Sequence, residues 1–129
     1  MEYMNKGYLL DTNIAIAILI NESNVIDFLR QASRDKMPIY FSTITVSEVF
    51  AGLRHDEQLR AEKLFTSKRC IDVTSEIAKL AGTLRRDLKR KGRKLKTPDA
   101  LIIATASVHE LTLVSRDSDM NFVEDFLRL

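Results

Sequence analysis

The chain has 129 residues, a mass of 14.8 kDa and a net charge of +2, with 45% hydrophobic and 29% charged residues. This composition indicates one folded domain over residues 1–129 and excludes long disordered or linker segments. Membrane insertion is not expected, because the apolar run of residues 14–20 is far shorter than the roughly 20 residues that span a bilayer.

The cysteine content and the N-terminus predict the compartment. Cys70 is the only cysteine, which rules out an internal disulfide and a cysteine-based zinc site. The first residues lack the uninterrupted apolar stretch of a secretory leader. We therefore expect a protein of the reducing cytoplasm.

The net charge is unevenly distributed. Residues 85–96, the basic segment, contain eight Lys or Arg and one Asp, a local charge of +7, so the remaining residues together carry −5. Such a segment can attract a polyanion. A solvated helix end, whose cations interact favourably with the helix dipole, explains the segment slightly better when it is considered alone.

Short apolar runs alternate with helical patterns along the chain. In chain order we predict a strand at 7–10, helices at 13–20 and 24–34, a strand at 39–42, helices at 45–53 and 56–67, a strand at 70–73, helices at 74–91 and 97–111, a strand at 112–115 and a short strand within 126–129. Gly92 should end the long amphipathic helix that precedes it. Strands separated by helices predict an α/β fold, in which helices cover both faces of a parallel sheet.

Four acidic residues lie where predicted strands end or the following helices begin. Asp11 directly follows the first strand and Asp117 lies beyond the fourth, while Glu48 and Asp99 lie in the first turns of helices. In open α/β sheets functional groups collect beyond the carboxyl ends of the strands, so we expect these side chains at one rim of the sheet. Carboxylates that converge there repel one another unless a cation neutralises them, and Mg²⁺ and Mn²⁺ bind such oxygen ligands.

Each acid also has a purely structural explanation. Thr45 and Glu48 have the spacing of a capping box, and Asp99 at a helix start would interact favourably with the helix dipole. Asp11 could cap the first helix, and Asp117 could form hydrogen bonds within a turn. For any one residue capping explains the acid at least as well as metal binding does, but the set of four is harder to explain in this way.

Four segments resemble the PIN-domain family, and most closely its small VapC-type toxins from toxin–antitoxin pairs: LLDTNI (9–14), TVSEVFAGL (45–53), KTPDALIIATA (96–106) and LVSRDSDM (113–120). The likeness covers nearly the whole chain, and LDTN and PDALIIATA are its most specific parts. Residues 120–122, MNF, replace an acid-Phe pair that is usual in the family, which leaves the role of Asp119 open.

The resemblance implies a three-layer α/β/α sandwich around a central parallel sheet of four to five strands, and a metal-dependent endoribonuclease activity. The residues that match the family's catalytic metal site, for Mg²⁺ or Mn²⁺, are Asp11, Glu48, Asp99 and Asp117. The supporting positions are Thr12, Asn13 and Ser115, with Asp119 as a further candidate. Cations in such a site lower the pKa of a water molecule and stabilise charge on the leaving oxygen.

An RNA substrate would give the basic segment a role, because its cations could capture phosphates beside an acidic centre. The candidate RNA-binding residues are Arg85, Arg86, Lys89, Arg90, Lys91, Arg93, Lys94 and Lys96. The same segment could instead contact an acidic partner. The resemblance also implies a cognate antitoxin and a homodimer, for which Leu59, Leu64 and Phe65 on an otherwise charged helix suggest an apolar contact surface.

Three other functions are compatible with an α/β fold. A haloacid-dehalogenase-like phosphatase requires a second Asp two residues after the first, where this chain has Asn13. A receiver domain that accepts a phosphoryl group requires a Lys after its last strand, where this chain has Arg116. A degenerate PIN-like module that only binds RNA or protein requires no acids, and the intact set argues against it.

Overall fold

The chain folds around a parallel sheet, and a computed structural model describes residues 6–129. The strands are β1 (Tyr8–Leu10), β2 (Ile39–Ser42), β3 (Arg69–Ile71), β4 (Thr112–Ser115) and β5 (Phe126–Arg128). Their order in the sheet is β3-β2-β1-β4-β5, and every neighbouring pair is parallel. The predicted α/β fold with four to five parallel strands is confirmed, and the short tail strand is the fifth.

Six α-helices occur within residues 6–129: α1 (Thr12–Leu19), α2 (Ser23–Arg34), α3 (Thr43–Ala51), α4 (Gln58–Ser67), α5 (Ser75–Arg90) and α6 (Thr97–Val108). Short 3-10 turns lie at His55–Glu57 and Ser118–Met120. No single described helix is long and apolar enough to cross a membrane. The α1 and α2 pair meets that requirement by length and composition alone, and the chain bends by 103° between the two helices.

The predicted start of α3 is wrong. The helix begins at Thr43 because Ser42, the last residue of β2, caps it: Ser42 Oγ accepts a hydrogen bond from Ile44 N at 3.0 Å. The capping box expected from Thr45 and Glu48 is therefore absent, because both residues lie within the helix. Their side chains are available for other partners.

α3 ends at Ala51 rather than at residue 53, and two further predicted ends are also wrong. β3 ends at Ile71 rather than at residue 73, because its ladder with β2 stops there. α6 ends at Val108 rather than at residue 111, because Glu110 adopts a left-handed conformation with φ of 56°. Leu111 N then turns back to the Ala106 carbonyl at 2.9 Å, which closes the helix end.

Alternate residues of the strands face two opposite helix layers. Leu10, Phe41 and Val114 pack with residues of α1, α2 and α4 on one face of the sheet. Leu9 and Leu113 pack on the other face with α6, and α5 lies against α6. The three-layer α/β/α arrangement implied by the family resemblance is confirmed.

The expected apolar surface of α4 is wrong for two of its three residues. Leu64 is buried, and Phe65 packs edge-on against Phe41 with ring centroids 5.1 Å apart. Leu59 is the exposed member of the three, with 63% of its surface accessible. An apolar contact surface on this side must therefore include residues from another helix.

The sheet order places β1 beside β4, although the two strands are far apart in sequence. The chain leaves β1 toward β2 and β3, and it later returns on the other side of β1 with β4 and β5. This is a topological switch point, where open α/β sheets bind ligands beyond the carboxyl ends of their strands. Asp11 N donates to the Val114 carbonyl at 2.9 Å, so strand pairing continues up to the first acidic residue.

α5 ends in a Schellman motif. Gly92 has a left-handed conformation with φ of 74°, and its amide donates to the Lys89 carbonyl at 3.0 Å. Arg93 N donates to the Leu88 carbonyl at 2.9 Å, which completes the motif. The motif agrees with the prediction that Gly92 stops the helix, and it sets the course of residues 93–96 toward α6.

Gly92→Ala should destabilise the protein by about 1–2 kcal/mol, the usual cost of a left-handed conformation for a residue with a Cβ. The cost is conformational, because nothing lies within 4 Å of the added atom. Gly82→Ala is the matched control, since Gly82 lies inside α5 with equally open surroundings. It should stabilise the protein by about 0.5–1 kcal/mol. Urea unfolding measures both changes, and two effects of the same sign would contradict this explanation.

Candidate functional site

Asp11 follows β1 directly and is the N-cap of α1, so two elements determine its position. Its carboxylate is buried, with only 4% of the residue exposed. Oδ1 accepts a hydrogen bond from Thr12 N at 2.8 Å, and Oδ2 accepts one from the Ser115 hydroxyl at 2.7 Å. Capping therefore accounts for one oxygen of Asp11, while the other is bound by a residue of β4.

The Ser115 hydroxyl lies at the centre of a hydrogen-bond network. It donates to Asp11 and accepts from Asn13 Nδ2 at 3.2 Å and from Asp117 N at 3.0 Å. Asn13 Oδ1 accepts a further bond from Arg116 N at 3.3 Å. One donated and two accepted bonds use the full capacity of the hydroxyl. Two of the residues expected to support the acids, Asn13 and Ser115, thus connect the end of β4 to the start of α1.

Glu48 reaches this rim of the sheet from α3. Its Oε1 accepts a hydrogen bond from the Thr12 hydroxyl at 2.5 Å. The same Thr12 oxygen lies 3.2 Å from the hydroxyl of Thr45, which is fully buried. Glu48 itself is exposed to solvent. Thr12, the residue after Asp11, therefore holds the solvent-accessible carboxylate of Glu48 at this rim.

Asp99 and Asp117 lie at one cavity. Asp99 is in the first turn of α6, Asp117 follows β4 after one residue, and both are half-buried. Together with Asp119 they line a cavity of about 420 Å³, whose other walls include Lys96 and Phe122. Asp117 Oδ1 accepts a hydrogen bond from Asp119 N at 2.9 Å, which is the turn contact expected from the sequence.

The pKa of Asp11 is raised above its usual value. Burial of the carboxylate is the largest cause, and the charges of Glu48 and Asp117 raise the pKa further. The hydrogen bonds donated by Ser115 and by the Thr12 amide act in the opposite direction. Asp11 is therefore surrounded by groups that orient it without neutralising its charge.

The pKa of Asp99 is raised for similar reasons. Burial again contributes most, followed by the charges of Asp11, Asp117 and Glu48, while the ammonium group of Lys96 lowers the pKa. The carboxylates of α1, α3, α6 and the loop after β4 thus form one electrostatic group. All four acids selected from the sequence belong to it.

The chemistry of this group fits a hard divalent cation. Its side chains offer carboxylate oxygens and neighbouring hydroxyls, which are the ligand types that Mg²⁺ and Mn²⁺ prefer. Within residues 6–129, no three His, Cys, Asp or Glu side chains are close enough together to enclose an ion. Carboxylates that lack a counter-charge repel one another, and a cation would draw them together. The donor set suits a metal, whereas a closed cage is not formed in advance.

The basic segment is divided between two surfaces. Its residues that line an open groove of about 690 Å³ beside α5 are Arg85, Arg86, Lys89, Arg93 and Lys94. Those that line the cavity of Asp99 and Asp117 are Arg93, Lys94 and Lys96. Arg90 and Lys91 belong to neither lining. The C-terminal end of the segment is therefore the part that reaches the acidic group.

An ion pair that the sequence pattern does not predict lies beside the site. The Arg116 guanidinium donates to the Glu22 carboxylate, and about a third of each side chain is exposed. This hydrogen bond lowers the pKa of Glu22. Glu22 precedes α2 and falls in no motif, so the position of Arg116 between Ser115 and Asp117 is the only sequence signal for the pair.

Comparison with known proteins places the chain in a family. The PIN domain family model matches residues 8–125. The Mycobacterium tuberculosis protein named Ribonuclease VapC10 is 32% identical over 107 residues, which are 83% of this chain and 80% of that protein. The chain belongs to the PIN domain family.

Solved structures share the fold. The toxin–antitoxin complex from Klebsiella pneumoniae is 29% identical, with a TM-score of 0.78 over 94% of this chain and 96% of the matched chain. The DNA-bound VapBC structure from Salmonella typhimurium has a TM-score of 0.82 over 98% of both chains. Its identity of 20% supports likeness of fold alone.

Asp99→Asn should raise the melting temperature of the metal-free protein at neutral pH. The substitution removes a half-buried charge that Asp11, Asp117 and Glu48 repel. When the pKa of a carboxyl is higher in the folded than in the unfolded state, the wild-type protein becomes less stable as pH rises through the two pKa values. The stability gained by Asp99→Asn should therefore disappear at low pH. Thermal melts in chelator at several pH values measure the effect.

Added Mn²⁺ should raise the melting temperature of the wild type by linkage, and that of Asp99→Asn by less. If Asp99 only caps α6, the metal-free variant should melt at a lower temperature than the wild type. The variant would then lose about 0.3–1 kcal/mol of dipole interaction, and the wild type would not respond to the cation. That combined result would show that the four acids do not form one site.

Proposed function

We propose that this protein is a divalent-cation-dependent endoribonuclease and the toxin of a toxin–antitoxin pair. The observation that carries the proposal is the group of four carboxylates at the switch point, where burial and then the neighbouring carboxylates raise the pKa values of Asp11 and Asp99. Membership of the PIN domain family and similarity to a protein named as a ribonuclease support RNA as the substrate.

In this proposal Asp11 and Asp99 bind the metal, Glu48 binds it or orients the attacking water, and Asp117 completes the site. When bound, Mg²⁺ or Mn²⁺ lowers the pKa of water and stabilises the charge that develops on the leaving oxygen. The Ser115 and Thr12 hydroxyls orient Asp11 and Glu48 by donating hydrogen bonds.

The basic segment offsets the repulsion between an acidic site and RNA. Lys and Arg side chains that neutralise phosphates release counterions and thereby supply sequence-independent affinity. Arg93, Lys94 and Lys96 line the same cavity as Asp99 and Asp117. They can hold phosphates that flank the cleaved bond, and Asp119 adds a carboxylate to the lining of the cavity.

Asp11→Asn and Asp99→Asn should each abolish Mn²⁺-dependent cleavage of single-stranded RNA in a folded protein. Asp72→Asn is the matched control, because Asp72 also follows a strand but is not among the charges that shift the pKa of Asp11 or Asp99. It should leave cleavage unchanged. Gel assays of labelled RNA with Mn²⁺, with and without chelator, measure the activity.

Undiminished cleavage in both site variants would contradict the assignment of Asp11 and Asp99 to the catalytic site. A wild type that binds RNA without cutting it would support the alternative of a degenerate PIN-like binding module. Stable phosphorylation by a small phosphoryl donor, without cleavage, would favour a signalling domain instead.

The proposed protein partner is an antitoxin, as in the Klebsiella pneumoniae complex that the chain resembles. The apolar side chains Ile16 and Ile20 are exposed at α1, and Leu59 is exposed on α4. The Arg60 guanidinium donates to the Leu19 carbonyl at 2.9 Å and joins the two helices at this place. Exposed apolar side chains on adjacent helices suit an amphipathic or extended partner segment.

Ile20→Glu combined with Leu59→Glu should prevent co-purification with the polypeptide encoded next to this gene. Leu127→Glu is the control, since Leu127 is an exposed apolar residue on the edge strand β5. Retention of the partner by the double variant would show that the surface lies elsewhere. A homodimer is also proposed from the family likeness, and light scattering that reports a monomer at micromolar concentration would contradict it.

A further inference from the structure

The groove beside α5 and the acidic cavity meet at Arg93. Arg93, Lys94 and Leu95 line both spaces, so the two lie side by side with these residues between them. The Arg93 guanidinium lies over the ring of Phe122, 4.8 Å from the ring centroid. A flat cationic group therefore stands where the basic groove opens toward Asp99 and Asp117.

Arg93 and Phe122 are held in this position by the fold. The Arg93 amide closes the Schellman motif at the end of α5. Phe122 is half-buried and packs against the core cluster between the sheet and α6. The guanidinium thus rests on a ring that the core supports.

Arg93 contacts an aromatic ring, whereas the nearby arginines Arg86 and Arg90 contact a carboxylate. Arg86 and Arg90 both lie near the Asp87 carboxylate, at 3.8 and 4.0 Å. No carboxylate within residues 6–129 forms an ion pair with Arg93, and its side chain is exposed. The guanidinium carbon lies over an aromatic ring, and the exposed side chain is accessible to an incoming group.

We infer that Arg93 and Phe122 form a stacking subsite for one nucleobase beside the cleaved phosphodiester. Unpaired bases stack on aromatic rings and on guanidinium planes. Because Phe122 lies on one side of the guanidinium, the base stacks on the side that is open to solvent. The inference rests on the proposed ribonuclease function, since the carboxylates next to this platform are the proposed metal ligands.

The subsite assigns different roles to the cations of the basic segment. Lys94 and Lys96 are point charges that attract phosphates, whereas Arg93 offers a plane as well as a charge. A base that stacks on this plane must be free of its neighbours, so the subsite selects unpaired RNA over duplex. Since every base has a π-face, it does so with little regard to sequence.

The test compares two single-stranded probes of equal length, an oligoadenylate and a chain of abasic sugar-phosphate units. Fluorescence anisotropy in chelator measures both dissociation constants without cleavage. Their ratio isolates the contribution of the bases, because the two probes carry the same phosphates.

Two variants and one control decide the outcome. Arg93→Lys keeps the charge and removes the plane, and Phe122→Leu removes the ring beneath it. Arg30→Lys makes the same exchange on the exposed side of α2, at a residue that lines neither space. The preference for oligoadenylate over the abasic chain should fall about fivefold or more in Arg93→Lys and Phe122→Leu, and stay unchanged in Arg30→Lys.

An equal preference in the wild type and Arg93→Lys would overturn the inference, even if Phe122→Leu is too unstable to measure. If the wild type still cleaves RNA with Mn²⁺ in that case, only the stacking subsite is wrong. If the wild type neither cleaves RNA nor binds either probe, the proposed function fails and the subsite fails with it.

Discussion

Four carboxylates lie at the rim of the sheet around the carboxyl ends of β1 and β4, and burial, followed by the repulsion between them, raises the pKa values of Asp11 and Asp99. The groups that contact these carboxylates are neutral hydrogen-bond donors. Ser115 and Thr12 bind the carboxylates through hydroxyl and amide groups, which orient negative charge without cancelling it. A group oriented in this way keeps its net negative charge, and the parallel pairing of β1 with β4 holds Asp11 beside Ser115 and Asp117.

The cations near this group compensate its negative charge only in part. Arg116 lies between Ser115 and Asp117 in the chain, yet its guanidinium binds Glu22. Lys96 lowers the pKa of Asp99 but does not prevent the overall rise. Arg93 and Lys94 line the same cavity as Asp99 and Asp117, whereas the other cations of the basic segment lie on α5 and at its end. Positive charge beside the acidic group can thus attract a polyanion, while the pKa of Asp99 is still raised.

Local patterns predicted the elements, the sheet type and the convergence of the acids, because each follows from strand ends and helix starts. The predicted helix start was wrong where two nearby residues could both act as the N-cap. Ser42 and Thr45 can both cap a helix, and the end of β2 at Ser42 decides between them. On α4, the spacing of Ala61, Leu64 and Phe65 is that of an inward face, so periodicity alone could have excluded the surface expected there.

Contacts between distant parts of the chain could not be predicted in this way. The pair of Arg116 with Glu22 and the packing of Arg93 on Phe122 join residues that share no motif. Both depend on how loops cross the rim of the sheet, which single-sequence periodicity does not describe. The acids themselves were easier to find, because their positions are tied to regular elements.

The edges of the sheet limit how this protein can assemble. β3 and β5, the two outermost strands, have three residues each and pair with their inner neighbours over that length. An edge this short offers too few free amide and carbonyl groups to template another strand. Growth by sheet extension is therefore disfavoured, which also protects the chain against edge-to-edge aggregation. Association then depends on side chains of the helices and loops, where shape and charge set the specificity more than backbone hydrogen bonds do.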